Sequence, residues 1–193
     1  GDEYCDVVLY PSSLVSNIDF FTQHGVKQSI YTLTNYTCDG TESTAINTEI
    51  NANDYETYNN GLLMQAEIVL PTETTYNEAC TLFTCKKYTS DPADGFKFND
   101  TNTGTTMQYN MTPAIVNTKC TNIVRGDTYI LSVRIKYNDY AMSFNNNVNA
   151  STTTIPTHNW PITIGGALYE LPNTWYDSRF AKVIINNLTI REL

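Results

Sequence analysis

Between Thr128 and Tyr137 the chain alternates: Tyr129, Leu131, Val133, Ile135 and Tyr137 are apolar, with Ser132, Arg134 and Lys136 between them. A period of two sends successive side chains to opposite faces of a strand, so the segment predicts a strand with one buried face. Asn138-Asp139 follows, a pair that tolerates the backbone of a tight hairpin turn. Tyr140, Met142 and Phe144 then alternate with Ala141, Ser143 and Asn145, which predicts the returning strand.

Shorter runs of the same kind predict strands at Cys5–Tyr10, Gln28–Thr34, Leu62–Leu70, Ala79–Tyr88, Gly95–Asn99, Thr105–Met111, Pro161–Ile164 and Phe180–Arg191. Turn-forming stretches separate them, among them Asp91-Pro92-Ala93-Asp94-Gly95, Asn102-Thr103-Gly104, Arg125-Gly126-Asp127 and Gly165-Gly166. Many short strands at this spacing predict an all-β sandwich or barrel. Residues 1–60 are less regular, and the polar stretch Cys38–Asn60 reads as a long surface loop. No repeat or linker divides the chain, so residues 1–193 read as a single domain.

Composition narrows the class. Charged residues make up 16% of the chain, where an average soluble domain has about 25%. Uncharged polar residues replace them, with 29 Thr and 22 Asn in 193 residues. These are weak helix formers, which excludes a helical bundle. The 14 tyrosines and the many β-branched residues exclude intrinsic disorder. No stretch reaches the roughly 18 apolar residues of a membrane helix, so membrane insertion is not expected. Eleven basic residues against twenty acidic ones leave a net charge of −9. Polyanion binding needs rows of cations, so no nucleic-acid partner is expected.

The five cysteines, Cys5, Cys38, Cys80, Cys85 and Cys120, show no CxxC spacing. Cys80 and Cys85 are close enough in sequence to staple a local loop, while small buried thiols are the equal alternative. The start Gly1-Asp2-Glu3 suggests a processed protein or a fragment. Glycosylation sequons occur at Asn35, Asn99, Asn110, Asn149 and Asn187, about the number chance provides in so Asn- and Thr-rich a chain.

Several segments together carry a resemblance. They are Gly61-Leu62-Leu63-Met64-Gln65-Ala66-Glu67-Ile68-Val69, the 129–135 strand, and Tyr140-Ala141-Met142-Ser143-Phe144-Asn145-Asn146-Asn147. Pro161-Ile162-Thr163-Ile164-Gly165-Gly166 and Phe180-Ala181-Lys182-Val183-Ile184-Ile185-Asn186-Asn187-Leu188-Thr189-Ile190 complete the set. Over residues 60–193 this pattern resembles the concanavalin A-like (laminin-G-like) lectin/glucanase superfamily. Lys182 stands where that family usually has Gly, and Asn146 and Asn147 replace its turn Gly. The resemblance implies a jelly roll of two antiparallel sheets, one of them concave.

Glycosidases need two carboxylates flanking the scissile bond. The family's hydrolases carry a Glu-x-Asp-x-Glu-type strand, and this chain has none. Glu67 and Glu73 lie on either side of Pro71, and Glu78, Asp91, Asp94 and Asp100 read as loop residues. His24 and His158 sit in polar stretches, and there is no Gly-x-Ser-x-Gly elbow. The sequence expectation is therefore no catalytic residue and no enzyme. No cofactor is expected beyond calcium, for which Asp91, Asp94, Asn99 and Asp100 supply hard oxygen ligands; an acidic, solvated turn is the plainer reading.

Sugar recognition stacks aromatic rings on sugar faces and meets hydroxyls with amides and carboxylates. Trp160, Tyr169, Trp175, Tyr176 and Asp177 offer such groups close together in sequence. Trp160, just before Pro161, equally suits core packing. Trp175 reads as a loop residue, for which capping of the sandwich edge and ligand contact are equal readings. The sequence expectation is a binding or adhesion module for a carbohydrate or host-surface glycoprotein, located extracellularly, on a cell surface or on a virion. The alternatives are a structural module of a viral fibre or other extracellular assembly, for which a homo-oligomer is the expected partner state, and a glycan-cleaving enzyme.

Overall fold

The computed structural model describes residues 29–55, 61–72, 79–84, 95–101, 104–110, 118–136, 139–144, 147–151, 160–176 and 180–193. Fourteen strands occur among them: β1 (Ser29–Asp39), β2 (Ile46–Asn51), β3 (Gly61–Val69), β4 (Ala79–Thr84), β5 (Gly95–Thr101), β6 (Gly104–Asn110) and β7 (Thr118–Ile123), followed by β8 (Thr128–Lys136), β9 (Asp139–Phe144), β10 (Asn147–Ser151), β11 (Pro161–Ile164), β12 (Leu168–Glu170), β13 (Thr174–Trp175) and β14 (Lys182–Glu192). One six-stranded sheet has the order β1-β14-β3-β8-β9-β10 and a second the order β2-β11-β4-β5-β6-β7, with β12-β13 as a small hairpin. Every pairing is antiparallel.

The alternation that predicts β8 is the alternation that builds the core. Tyr129, Leu131 and Val133 are buried, while Ile130 between the first two is 53% exposed. Leu62, Met64, Ala66 and Ile68 of β3 point the same way, as do Leu188 and Ile190 of β14. They share one hydrophobic cluster with Leu82 and Phe83 of β4 and Ile162 and Ile164 of β11. The two sheets therefore face each other across a common apolar layer. Each such side chain, fully buried, contributes about 1.5–3 kcal/mol.

β1 and β14 each change phase midway. In β14 Val183 and Ile185 face the core, then Leu188 and Ile190 do. The register against β3 slips between Ile185 and Asn187, which leaves Asn186 as an inserted residue, a β-bulge. β1 has half-buried Tyr31 and Leu33, then half-buried Tyr36 and buried Cys38, with Asn35 at φ 51° where the phase changes. The two irregularities lie side by side, since Thr34 pairs with Asn187 and Tyr36 with Ile185. One inserted residue in each strand keeps their mutual ladder intact.

Sequence and structure differ in places. Cys38–Asn60 is not one long loop: β1 runs to Asp39, and β2 occupies Ile46–Asn51. Ile46 and Ile50 pack against the core, and that contact draws the polar segment into the second sheet. Asp139, expected in a turn, is the first residue of β9, paired with Lys136. β7, β10 and the β12–β13 hairpin had no counterpart in the expected strands. The expected strand Cys5–Tyr10 lies outside the described residues.

Candidate ligand-binding cleft

After β11 the chain leaves the second sheet through Gly165, which has φ +75°. Its N–H donates to the Leu82 carbonyl at 2.8 Å, and its carbonyl accepts from the Ala181 N–H at 2.9 Å. A side chain here is doubly excluded, because a Cβ would stand 2.7 Å from Cys38 Sγ. At Gly166 a Cβ would come within 2.8 Å of the Phe180 ring and 3.1 Å of the Trp175 ring. The Gly-Gly pair thus lets Trp175 and Phe180 close over the backbone, with ring centroids 6.2 Å apart.

The β12–β13 hairpin then turns back, pairing Leu168 with Trp175 and Glu170 with Thr174. Its turn is tied to β2: Asn47 Nδ2 donates to the Pro172 carbonyl at 2.9 Å and to Asn173 Oδ1 at 3.4 Å. β2 itself bulges, since Pro161 opposes Asn51 and Thr163 opposes Asn47, four residues answering two. Within the bulge Glu49 has φ 60°. Its N–H donates to Asn47 Oδ1 at 2.9 Å, and Thr48 Oγ1 donates to the Ile162 carbonyl at 2.8 Å. The left-handed conformation costs a residue with a Cβ roughly 1–2 kcal/mol, and these bonds hold it in place.

Between this bulge, the short 3-10 turn Glu42–Thr44 and the hairpin lies an open cleft of about 740 Å³. Its polar lining is Glu42, Ser43, Asn47, Glu49 and Asn173; Ala45, Ile46 and Trp175 supply the apolar surface. That volume falls in the range of small-molecule sites, roughly 300–1,000 Å³. The turn beneath it is organised by Asp39, whose Oδ1 accepts from Thr41 Oγ1, Thr44 Oγ1 and the Thr41 N–H. The hydrogen bonds from Thr41 and then Thr44 lower the Asp39 pKa.

Of the five residues singled out for sugar contact, Trp175 lines this cleft. It is not an exposed loop residue, however. It belongs to β13, is 9% exposed and packs on Phe180. Tyr169 is 46% exposed on β12. Tyr176 is half-buried against Ala167, to whose carbonyl its N–H donates at 2.9 Å. Trp160 is half-buried at the entry to β11, and Asp177 lies outside the described residues. The structure thus spreads these residues along and beside one hairpin and brings one of them to the cleft.

The calcium candidates Asp91 and Asp94 lie outside the described residues, as does Cys85 of the Cys80–Cys85 pair. Asp100 is not in a loop: it sits on β5 and pairs with Thr105, and Asn99 precedes it on the same strand. Cys80 lies on β4 opposite Phe98. Glu67 is on the outward face of β3, where its carboxylate accepts from Asn186 Nδ2 at 2.8 Å. Beside it Arg191 donates to Gln65 Oε1 and Thr189 Oγ1, and Gln65 donates to Ser132 Oγ. Glu42, Ser43, Asn47 and Glu49 were absent from the sequence expectation because Cys38–Asn60 reads as a loop, and Asn173 because it reads as a flank of the Trp175 loop. The signal that locates Asn47 and Glu49 is the alternation of Ile46, Thr48 and Ile50 with Asn47, Glu49 and Asn51.

No protein-family profile matches the chain, and no curated protein matches its sequence. Solved structures do match its shape. NanB in a structure with optactamide superposes with a TM-score of 0.52 at 13% identity, over 85% of this chain and 26% of that one. The chain has an all-β fold of two antiparallel sheets packed as a sandwich, the shape it shares with the matched stretch of NanB. Mouse laminin α1 domains LG4-5 give a TM-score of 0.47 at 13% identity, covering 86% of this chain and 41% of theirs. Trypanosoma rangeli sialidase in complex with sialic acid gives 0.46 at 12%, covering 67% and 20%. The sandwich spans less than half the length of each of these proteins.

The expectation of a non-enzyme is corrected by these comparisons. NanB shares this shape at a TM-score of 0.52 with only 13% identity, so sequence motifs do not track the fold here, and the lack of a Glu-x-Asp-x-Glu strand or a nucleophile elbow does not exclude catalysis. At identities of 12–13% the likeness conveys shape and assigns no reaction.

Proposed function

We propose that this sandwich is a glycan-recognition module whose ligand occupies the cleft between β2 and the β12–β13 hairpin. The observation that carries the reading is the make-up of that cleft: two amides, a hydroxyl, two carboxylates and Trp175 line it together. Sugar hydroxyls both donate and accept. Asn173 does the same, while Glu42 and Glu49 accept through two oxygens each; Asn47, whose amide is engaged with Pro172, Asn173 and Glu49, holds the rim in place. The indole offers apolar surface to the C–H face of a pyranose ring. In this reading the partner is a carbohydrate or the glycan of a surface glycoprotein, met outside the cell.

A glycan array tests it with the variants Asn173→Ala and Glu49→Ala. Trp175→Ala is unsuitable, because loss of the contact with Phe180 would disturb the fold. Both chosen residues line the cleft from its rim, Asn173 being exposed on the hairpin turn and Glu49 on the bulge, so their removal leaves the core intact. Each variant is expected to lose at least about tenfold in affinity, which corresponds to the loss of one good polar contact, with an unchanged melting temperature. Retention of no saccharide, or retention indifferent to both variants, would overturn the reading.

A further inference from the structure

We infer that the cleft excludes anions, so that its ligand is a neutral saccharide without carboxylate, sulfate or phosphate groups; this rests on the glycan reading above. Two of the five polar lining residues are Glu42 and Glu49, and among the described residues no Lys, Arg or His joins them. Two further carboxylates stand close by in the chain. Asp39 anchors the turn that carries Glu42, and Glu170 is on the hairpin, paired with Thr174.

Tight recognition of a carboxylate or sulfate uses the fork of an arginine or the point charge of a lysine. The described arginines, Arg125, Arg134 and Arg191, are not among the residues lining the cleft. Arg191 and Arg134 lie on β14 and β8, on either side of Leu63, and Arg191 is engaged with Gln65 and Thr189. Lys182 stands cross-strand from Asp39 and is not among the cleft's lining residues. An anionic substituent entering the cleft would meet two carboxylates and, among the described residues, no compensating cation in its lining. Like charges at contact distance repel even through water.

The position of one of these carboxylates is built in. Glu49 sits at φ 60° in the β2 bulge, its N–H held by Asn47 and the adjoining Thr48 held by Ile162. Its backbone therefore cannot swing away to admit a negative group without breaking that set of bonds. The sialic acid bound in the similar sialidase structure does not transfer to this cleft.

The test uses the full chain and a panel of neutral oligosaccharides. Each is printed beside its sialylated, sulfated and uronate counterparts, with the charged group at several ring positions, and read at 10 mM and 300 mM NaCl. Neutral members are expected to be retained, with charged counterparts at least about tenfold weaker at low salt. That ratio should shrink at 300 mM, where screening shortens the reach of the repulsion. The double variant Glu42→Gln/Glu49→Gln is expected to bring the charged-to-neutral ratio to within about twofold, whatever it does to neutral binding. Charged members binding as well as their neutral counterparts, or a ratio unmoved in the double variant, would overturn the exclusion. The glycan reading would survive either result if Asn173→Ala still abolished retention. Retention of no saccharide at all would overturn both.

Discussion

Cys38 shows how a single residue couples the two sheets. It is a free, buried thiol near the end of β1, and its sulfur is the atom that a Cβ on Gly165 would strike. Burial, with Asp39 adding to it, pushes its pKa from an ordinary 9.0 up to about 12. Tyr31 and Tyr36 on the same strand are also raised, each chiefly by burial. A raised acid stays protonated in the folded state after the unfolded chain has released its proton. Stability is therefore complete below pH 9 and falls between about pH 9 and 12. Urea midpoints measured from pH 7 to 11 should decline, and Cys38→Ala should decline less steeply over the same window whatever its stability at pH 7. Equal slopes for parent and variant would mean that Cys38 ionises alike in both states. Little of this was legible in sequence. Nothing about Cys38 distinguishes it from four other cysteines until Gly165, far along the chain, is folded onto it. Trp175 is similar, since its burial depends on Gly166 and Phe180 closing around it.

Among the elements, β1 and β14 carry information that a strict period-two reading discards. The expected strand Gln28–Thr34 stops where the phase breaks, and the break is an inserted Asn rather than an end. Asn is the residue type that takes φ near +50° at least cost after glycine. Asn35→Val should therefore lower stability by about 1–2 kcal/mol, the penalty of that conformation for a residue with a bulky Cβ. Thr37→Val, exposed two positions along the same strand, should change it little. Thermal melts of the two variants side by side decide the matter, and equal melting temperatures would show that Asn35 is not held left-handed. β8 and β9 were legible because one face of each is apolar without interruption. β2 was not, because its polar face is the cleft lining, and Asn, Glu and Thr in sequence read as surface whatever they line.

For the whole molecule, the sandwich was legible and its strand order was not. Alternating short strands and Gly-Gly punctuation lead to two antiparallel layers. They do not say that β11 lies between β2 and β4, or that β14 lies between β1 and β3. Those placements are decided by long-range burial: strands far apart in sequence fill one apolar layer. The consequence concerns cooperativity. Ile164 of β11 and Ile190 of β14 belong to opposite sheets, each is fully buried, and both sit in one cluster. Neither sheet has an apolar layer of its own to retain if the other melts. Urea unfolding followed by tryptophan fluorescence, which reports from Trp160 and Trp175 beside the second sheet, should coincide with the strand signal from both sheets in circular dichroism. Ile164→Ala, which removes buried methyl groups from the shared layer, should cost about 2–5 kcal/mol and move both curves together. If fluorescence shifts while the dichroism midpoint holds, the layers are separable and the common core described above is not what joins them.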